Sequence, residues 1–185
     1  MRITGLFIFI FLFFYGCTPD KVSVQVIRNP SIKFDYNTTA SWKNDMYSFA
    51  PISKVVGYPN DTSRQATLYN RITLQSTGHD NSGNNFQLVI SFDAVDANQL
   101  IGSYSPVYST QKGLAQVQLF NLTNSSNLSA YELCRSNNSK AVFQIQRQHI
   151  PEQLISGIFQ MRLCNLRDST KTINITNGIF TDIHY

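Results

Sequence analysis

Apolar and polar residues alternate in short bursts along most of this chain, and that period of two is the signature of half-buried β-strands. Residues 31–36 place Ile32, Phe34 and Tyr36 on one side. Residues 85–93 set Phe86, Leu88, Ile90 and Phe92 inward, with Gln87, Ser91 and Asp93 outward. Residues 141–148 bury Phe143 and Ile145, and residues 154–165 bury Phe159, Met161 and Leu163 while turning Gln160, Arg162 and Cys164 out. Weaker candidates cover 66–75, where Leu68, Ile72 and Leu74 share a face with Asn70, and 131–134, where Tyr131 and Leu133 oppose Glu132 and Cys134. Residues 115–122 put Val117 and Leu119 inward and change phase at Phe120, which predicts a bulge there.

Gly102 and Pro106 make 101–108 an edge or bulged strand. Residues 172–176 bury Ile173 and Ile175, after which Asn177-Gly178 reads two ways, as a two-residue hairpin turn or as a bulge within one long strand. Residues 18–29 carry Val22, Val24 and Val26, fitting an edge strand or an extended tether. Trp42 follows a turn at 37–41 and is expected to plug the core beneath it. No window keeps a helical stripe, and 93–100 has room for one helical turn at most. The expected fold is therefore all-β, an antiparallel β-sandwich or flattened barrel of about eight to ten strands, without repeats or a second domain.

One apolar stretch does not alternate. Residues 6–15 run unbroken after Arg2 and end at Gly16-Cys17. A positive start, an h-region of this length and a small residue at the cut describe a secretory signal peptide. The run is too short for a helix crossing ~30 Å of hydrocarbon. A cysteine directly after the cut is the acceptor a lipoprotein needs, because its thiol takes a diacylglycerol, and Phe14-Tyr15-Gly16-Cys17 is similar to a bacterial lipobox. Two or more acyl chains hold a protein stably, each buried CH₂ adding ~0.8 kcal/mol. The expected organisation is a signal peptide at 1–16, a lipidated N-terminus and tether at 17–30, and one β domain over 31–185. It implies a chain anchored by its lipid (palmitate among the acyl groups) to the outer membrane of the cell envelope, facing the periplasm or the surface.

Composition changes this picture little. The formal charge is +4, of which Arg2 leaves with the signal, and Lys and Arg are scattered without forming a basic stripe. No nucleic-acid partner is expected on that distribution. With Cys17 assigned to the anchor, Cys134 and Cys164 form an even pair in an oxidising compartment, where a disulfide is the default. Those two and three dispersed histidines are too few ligands for a metal centre, so neither a metal nor a cofactor is expected. Asn-X-Ser/Thr recurs at Asn37, Asn60, Asn121, Asn124, Asn127, Asn137 and Asn174; a eukaryotic secreted protein would carry glycans there, whereas an Asn-rich bacterial chain produces such triplets by composition.

The C-terminal third carries motifs of its own. Ile155-Ser-Gly-Ile-Phe-Gln-Met161 and Ile175-Thr-Asn-Gly-Ile-Phe-Thr-Asp-Ile-His-Tyr185, with Leu100-Ile-Gly-Ser-Tyr104 upstream, resemble small Bacteroidota lipoproteins of unknown function. The resemblance spans roughly residues 85–185 and implies an all-β lipoprotein. It brings no catalytic residues, and it places Gly157 and Gly178 where a bulge or turn needs glycine.

Candidate chemistry is sparse. His79-Asp80-Asn81-Ser82-Gly83-Asn84 echoes a calcium loop but lacks the terminal glutamate, and it reads as a turn. Ser109-Thr110-Gln111-Lys112 has the serine–lysine spacing of penicillin-binding enzymes without their partner motifs. Asp93 and Asp96 lie three apart at a strand end, and His149 and His184 stand in separate segments. Two functional classes follow. The first is a non-enzymatic envelope lipoprotein whose sheet or loops bind a protein, glycan or small apolar ligand. The second is a polymer hydrolase assembled from dispersed residues such as Asp93, Asp96 and His149.

Overall fold

The computed structural model describes residues 29–37, 40–57, 66–107, 109, 111–123, 129–134 and 141–185. The expected signal peptide at 1–16, the expected lipidation site Cys17 and residues 18–28 lie outside the described residues. Ten strands form: β1 (Ser31–Tyr36), β2 (Ala40–Gly57), β3 (Thr67–Asp80), β4 (Asn85–Ala94), β5 (Gly102–Tyr104), β6 (Lys112–Asn121), β7 (Ser129–Leu133), β8 (Val142–His149), β9 (Leu154–Asn165) and β10 (Thr172–His184). Their pairings are all antiparallel, in the order β10-β1-β2-β3-β4-β6-β7-β9. Because β9 also pairs with β10, these eight close into a barrel.

The wall between β6 and β9 divides. β7 pairs with the end of β9 over Leu163–Asn165, and β8 pairs with the rest of that same edge. β7 and β8 are thus two lengths of one strand line along the same edge of β9. Short β5 sits outside β8, with Gly102 opposite Ile145, and reaches β6 through Leu114 N donating to Ser105 O at 2.8 Å.

The alternating residues face inward and fill the barrel. Ile32, Phe34, Trp42, Ile72, Leu74, Leu88, Ile90, Phe92, Phe143, Ile145, Phe159, Met161, Leu163 and Phe180 are all buried. The aromatic rings form a column from one end to the other. Phe86 meets Tyr36 edge-on at 5.6 Å, Phe34 stacks on Trp42 at 4.8 Å, and Phe34 meets Phe159 at 5.9 Å. Farther along, Phe180 stacks on Phe143 at 5.2 Å, and Phe92 touches both Phe143 and Tyr104. Such pairs add ~0.5–1.5 kcal/mol each beyond the area they bury. A membrane-spanning barrel turns its apolar face outward. Here that face is inside, the sorting of a barrel with water around it. Among the described residues no helix is long and apolar enough to cross a membrane.

Several expectations are corrected. Ser91 and Asp93 do point away from the barrel interior, yet they are 4% and 1% exposed. Ser91 shares a hydrogen bond with Thr73, and the Arg71 guanidinium lies over Asp93 with Nε–Oδ1 at 2.8 Å and Nη2–Oδ2 at 2.9 Å. The β6 irregularity falls at Ala115, between the pairs Ser91–Gln116 and Phe92–Leu114, and not at Phe120. His79 and Asp80 end β3 instead of opening the turn.

Asn177-Gly178 is a bulge within one continuous β10, with Asn177 at φ 50°. The two C-terminal glycines serve close approach and not a left-handed backbone. A Cβ on Gly157 would lie 2.0 Å from Gln144 O and 2.6 Å from the Phe180 ring, and one on Gly178 would lie 2.4 Å from Phe159 O. Cys134 and Cys164 are bonded, with Cα atoms 5.0 Å apart, because β7 lies directly beside β9 there.

Candidate functional site

β2 is the strand that sequence periodicity does not reveal. It pairs with β1 through only four residues, Ala40–Lys43, while β3 accompanies it all the way to Gly57. Beyond Asn44, therefore, the other edge of β2 carries no strand among the described residues. Two register shifts, at Asn44/Met46 and at Ala50/Ser53, break its alternation. Pro51 sits in the second, as a proline in a strand must sit at an edge or a bulge. Along this open edge Met46, Phe49 and Ile52 are 69%, 47% and 38% exposed. Phe49 stacks on His184 at 6.0 Å, and Tyr47 packs partly on the core.

A second feature is an open cleft of about 570 Å³ at the barrel end where β4 stops, lined by Val95, Asp96, Ile101, Lys112, Gln148 and Ile150 among others. Gln148 pins its wall. The side-chain oxygen accepts from Leu100 N at 2.8 Å, and the amide donates to Ala97 O at 2.8 Å and to the Tyr185 hydroxyl at 2.6 Å. Lys112 Nζ donates to Ile101 O and lies 5.5 Å from the centre of the Tyr104 ring. Burial holds its pKa below the usual lysine value. Burial likewise pushes the Tyr104 hydroxyl well above the ordinary range, and that hydroxyl donates to Leu100 O at 2.7 Å.

The residues considered for hydrolysis are engaged separately. Asp93 is tied to Arg71, Asp96 accepts from Asn98 N at 2.8 Å to hold a turn, and His149 lies 3.7 Å from Glu152 on the surface. The cleft is lined by Asp96 but by neither Asp93 nor His149. Ser109 closes its own turn, accepting from Lys112 N at 3.0 Å while Lys112 Nζ points elsewhere, so the serine–lysine spacing builds a loop.

At the opposite end of the barrel Asp80 is saturated. Its Oδ1 accepts from Ser82 N and Asn84 N, and its Oδ2 from Asn84 Nδ2, each at 2.8 Å, together with the Tyr36 hydroxyl. Among the described residues no group of three His, Cys, Asp or Glu side chains gathers as metal ligands would. Trp42 is 1% exposed and offers no platform to a sugar ring.

The open β2 edge and the division of labour around Asp80 were missed from sequence. The one local signal for the edge was Pro51 among apolar residues without a clean period. Compared with known families, with curated proteins and with solved structures, the chain finds no match in any of the three.

Proposed function

We propose that this chain is a non-enzymatic, lipid-anchored protein of the cell envelope that binds a protein partner along the open edge of β2. The observation that carries this reading is the run of backbone over residues 46–57 that has, among the described residues, no strand neighbour on one side, bordered by exposed Met46, Phe49 and Ile52. Unpaired edges with apolar flanks are templates for strand addition, in which main-chain hydrogen bonds give affinity and side-chain pockets give selectivity. The filled interior and the separately engaged Asp93, Asp96 and His149 support an outer surface over an internal ligand or a catalytic centre. The short apolar run before Gly16-Cys17 and the resemblance to small Bacteroidota lipoproteins support the anchor.

Two experiments test the two halves. Cys17→Ser protein is expected to take up no labelled fatty acid in growing cells, and labelling equal to wild type would overturn the anchor. A photo-crosslinking residue at Ser48, on the edge, is expected to yield a discrete adduct in intact cells that the same residue at exposed Gln160 does not. Equal adducts from both positions, or none from Ser48, would overturn the edge.

A further inference from the structure

The strand directions decide which end of the barrel the anchor approaches. β1 is antiparallel to β2, with Tyr36 opposite Ala40 and Lys33 opposite Lys43. The beginning of β1 therefore lies toward Gly57, and the chain from Cys17 enters at the end of the barrel marked by the β2–β3 hairpin. The C-terminal end of β4, the start of β6, the β8–β9 turn and His184 belong to the same end.

That end is also where apolar side chains stand in water. Val56 and Leu68, cross-strand partners at the tip of the β2–β3 pairing, are 63% and 56% exposed. Val95 and Ile101, from the β4–β5 connection, and Ile150, from the β8–β9 turn, are 44%, 56% and 49% exposed and line one cleft. The opposite end shows Leu122 and Leu166, but its turns are Asn81-Ser82-Gly83-Asn84 and Arg167-Asp168-Ser169-Thr170-Lys171.

From these directions we infer that the rim formed by Val56, Leu68, Val95, Ile101 and Ile150 rests on the bilayer surface that holds the Cys17 lipid. The inference rests on the lipid anchor proposed above. Cys17 and Asn29 are twelve residues apart, and such a segment spans at most ~40 Å, so the bilayer lies within that distance of Asn29, where the chain enters the end that carries the rim. The length of chain and its point of entry thus name the occupant. Partly exposed aliphatic side chains from several loops suit shallow contact with the headgroup–acyl boundary, where buried apolar area adds to an existing anchor. Lys54 and Lys112, at the level of Asn70 and Ala94, lie at the height of the lipid phosphates. The β2 edge runs away from this surface, so a partner strand would be presented beside the membrane.

The test uses full-length lipidated protein in vesicles of phosphatidylethanolamine and phosphatidylglycerol carrying a headgroup-linked quencher. Environment-sensitive probes go on single introduced cysteines, Ile101→Cys or Ile150→Cys at the rim and Leu122→Cys at the other end. Emission from the buried Trp42 confirms the fold of each variant. Rim probes are expected to shift to the blue and to be quenched, while the Leu122→Cys probe stays unshifted. Replacing Val95 and Ile150 with Asp is expected to remove the shift at Ile101→Cys. Equal signals at both ends, or a quenched far end, would overturn the orientation. Failure of the anchor is read separately, as absence of acylation at Cys17. In that event coupling Cys17 to a maleimide lipid restores the tether, and the same comparison decides the rim.

Discussion

The Tyr36 hydroxyl on β1 donates to the Asp80 carboxylate at the end of β3, across a contact 44 residues long in sequence. β2 lies between those strands, so the bond reaches across β2, where Trp42 is the cross-strand partner of Asp80. Burial pushes the Asp80 carboxyl up, but donors from Tyr36, Asn84 and Ser82 outweigh it and hold the pKa at about 2. Burial, then the neighbouring Asp80, drives Tyr36 well above the ordinary phenol range.

This pair sets an acid limit. A carboxyl whose folded pKa is depressed contributes stability above its unfolded pKa, and loses it as pH falls through the folded value. Wild-type stability in urea melts is therefore expected to decline from pH ~4, the ordinary carboxylate range, down to about 2. Asp80→Asn should cost ~1.5–3 kcal/mol at neutral pH, as for hydrogen bonds to a charged group, and should show a flatter profile in that acid window. Parallel profiles for the two proteins would contradict it.

Phe92 touches Tyr104 and Phe143 and is fully buried. Phe92→Ala should cost ~3–5 kcal/mol through lost transfer energy and the cavity, whereas Gln160→Ala should stay within ~0.5 kcal/mol. Ser91→Ala belongs between them at ~1 kcal/mol, because its hydroxyl is buried and bonded to Thr73. Chemical denaturation of the three variants checks the order.

Gly157 lets β8 and β9 pair while the Phe180 ring crosses over it. Gly157→Ala should cost at least the ~1–3 kcal/mol of overpacking, because backbone, and not a flexible side-chain tip, occupies the space. Gly83→Asn meets open space at φ 80° and should be mild. A melting temperature equal to wild type for Gly157→Ala would refute the close approach.

The disulfide joins residues 30 apart in sequence. Replacing both cysteines with serine should lower stability by ~2–4 kcal/mol, as for loops of this size. Alkylation without reductant should leave the intact mass unchanged at Cys134 and Cys164, and two added labels would refute the bond.

Strands buried on one face were legible because that burial writes itself into the sequence as alternation, as in Phe86 to Phe92 or Phe159 to Leu163. β2 was not, since two bulges interrupt its phase and, among the described residues, no strand pairs with the far edge of its outer half. Ser91 and Asp93 carry the outward phase correctly, but period cannot report that Thr73 and Arg71 close over them. The neighbours of Cys134 and Cys164 depend on β7 and β8 sharing one edge of β9, a sheet adjacency that spacing does not encode. The candidate acids and histidines stayed chemically silent in sequence and remain apart in space.

The pairing of β1 with β10 has a kinetic meaning. Ser31 finds Thr181 and Tyr36 finds Ile175, so the ring closes only after the tenth strand is delivered. Until then β1 and β9 each present a bare ladder, the state most open to pairing with another chain. Such long loops also slow closure. For a polypeptide synthesised N-terminus first, the hazardous interval is the time between the emergence of Ser31 and that of His184. Loss of β10 would leave the intermediate permanently in that interval.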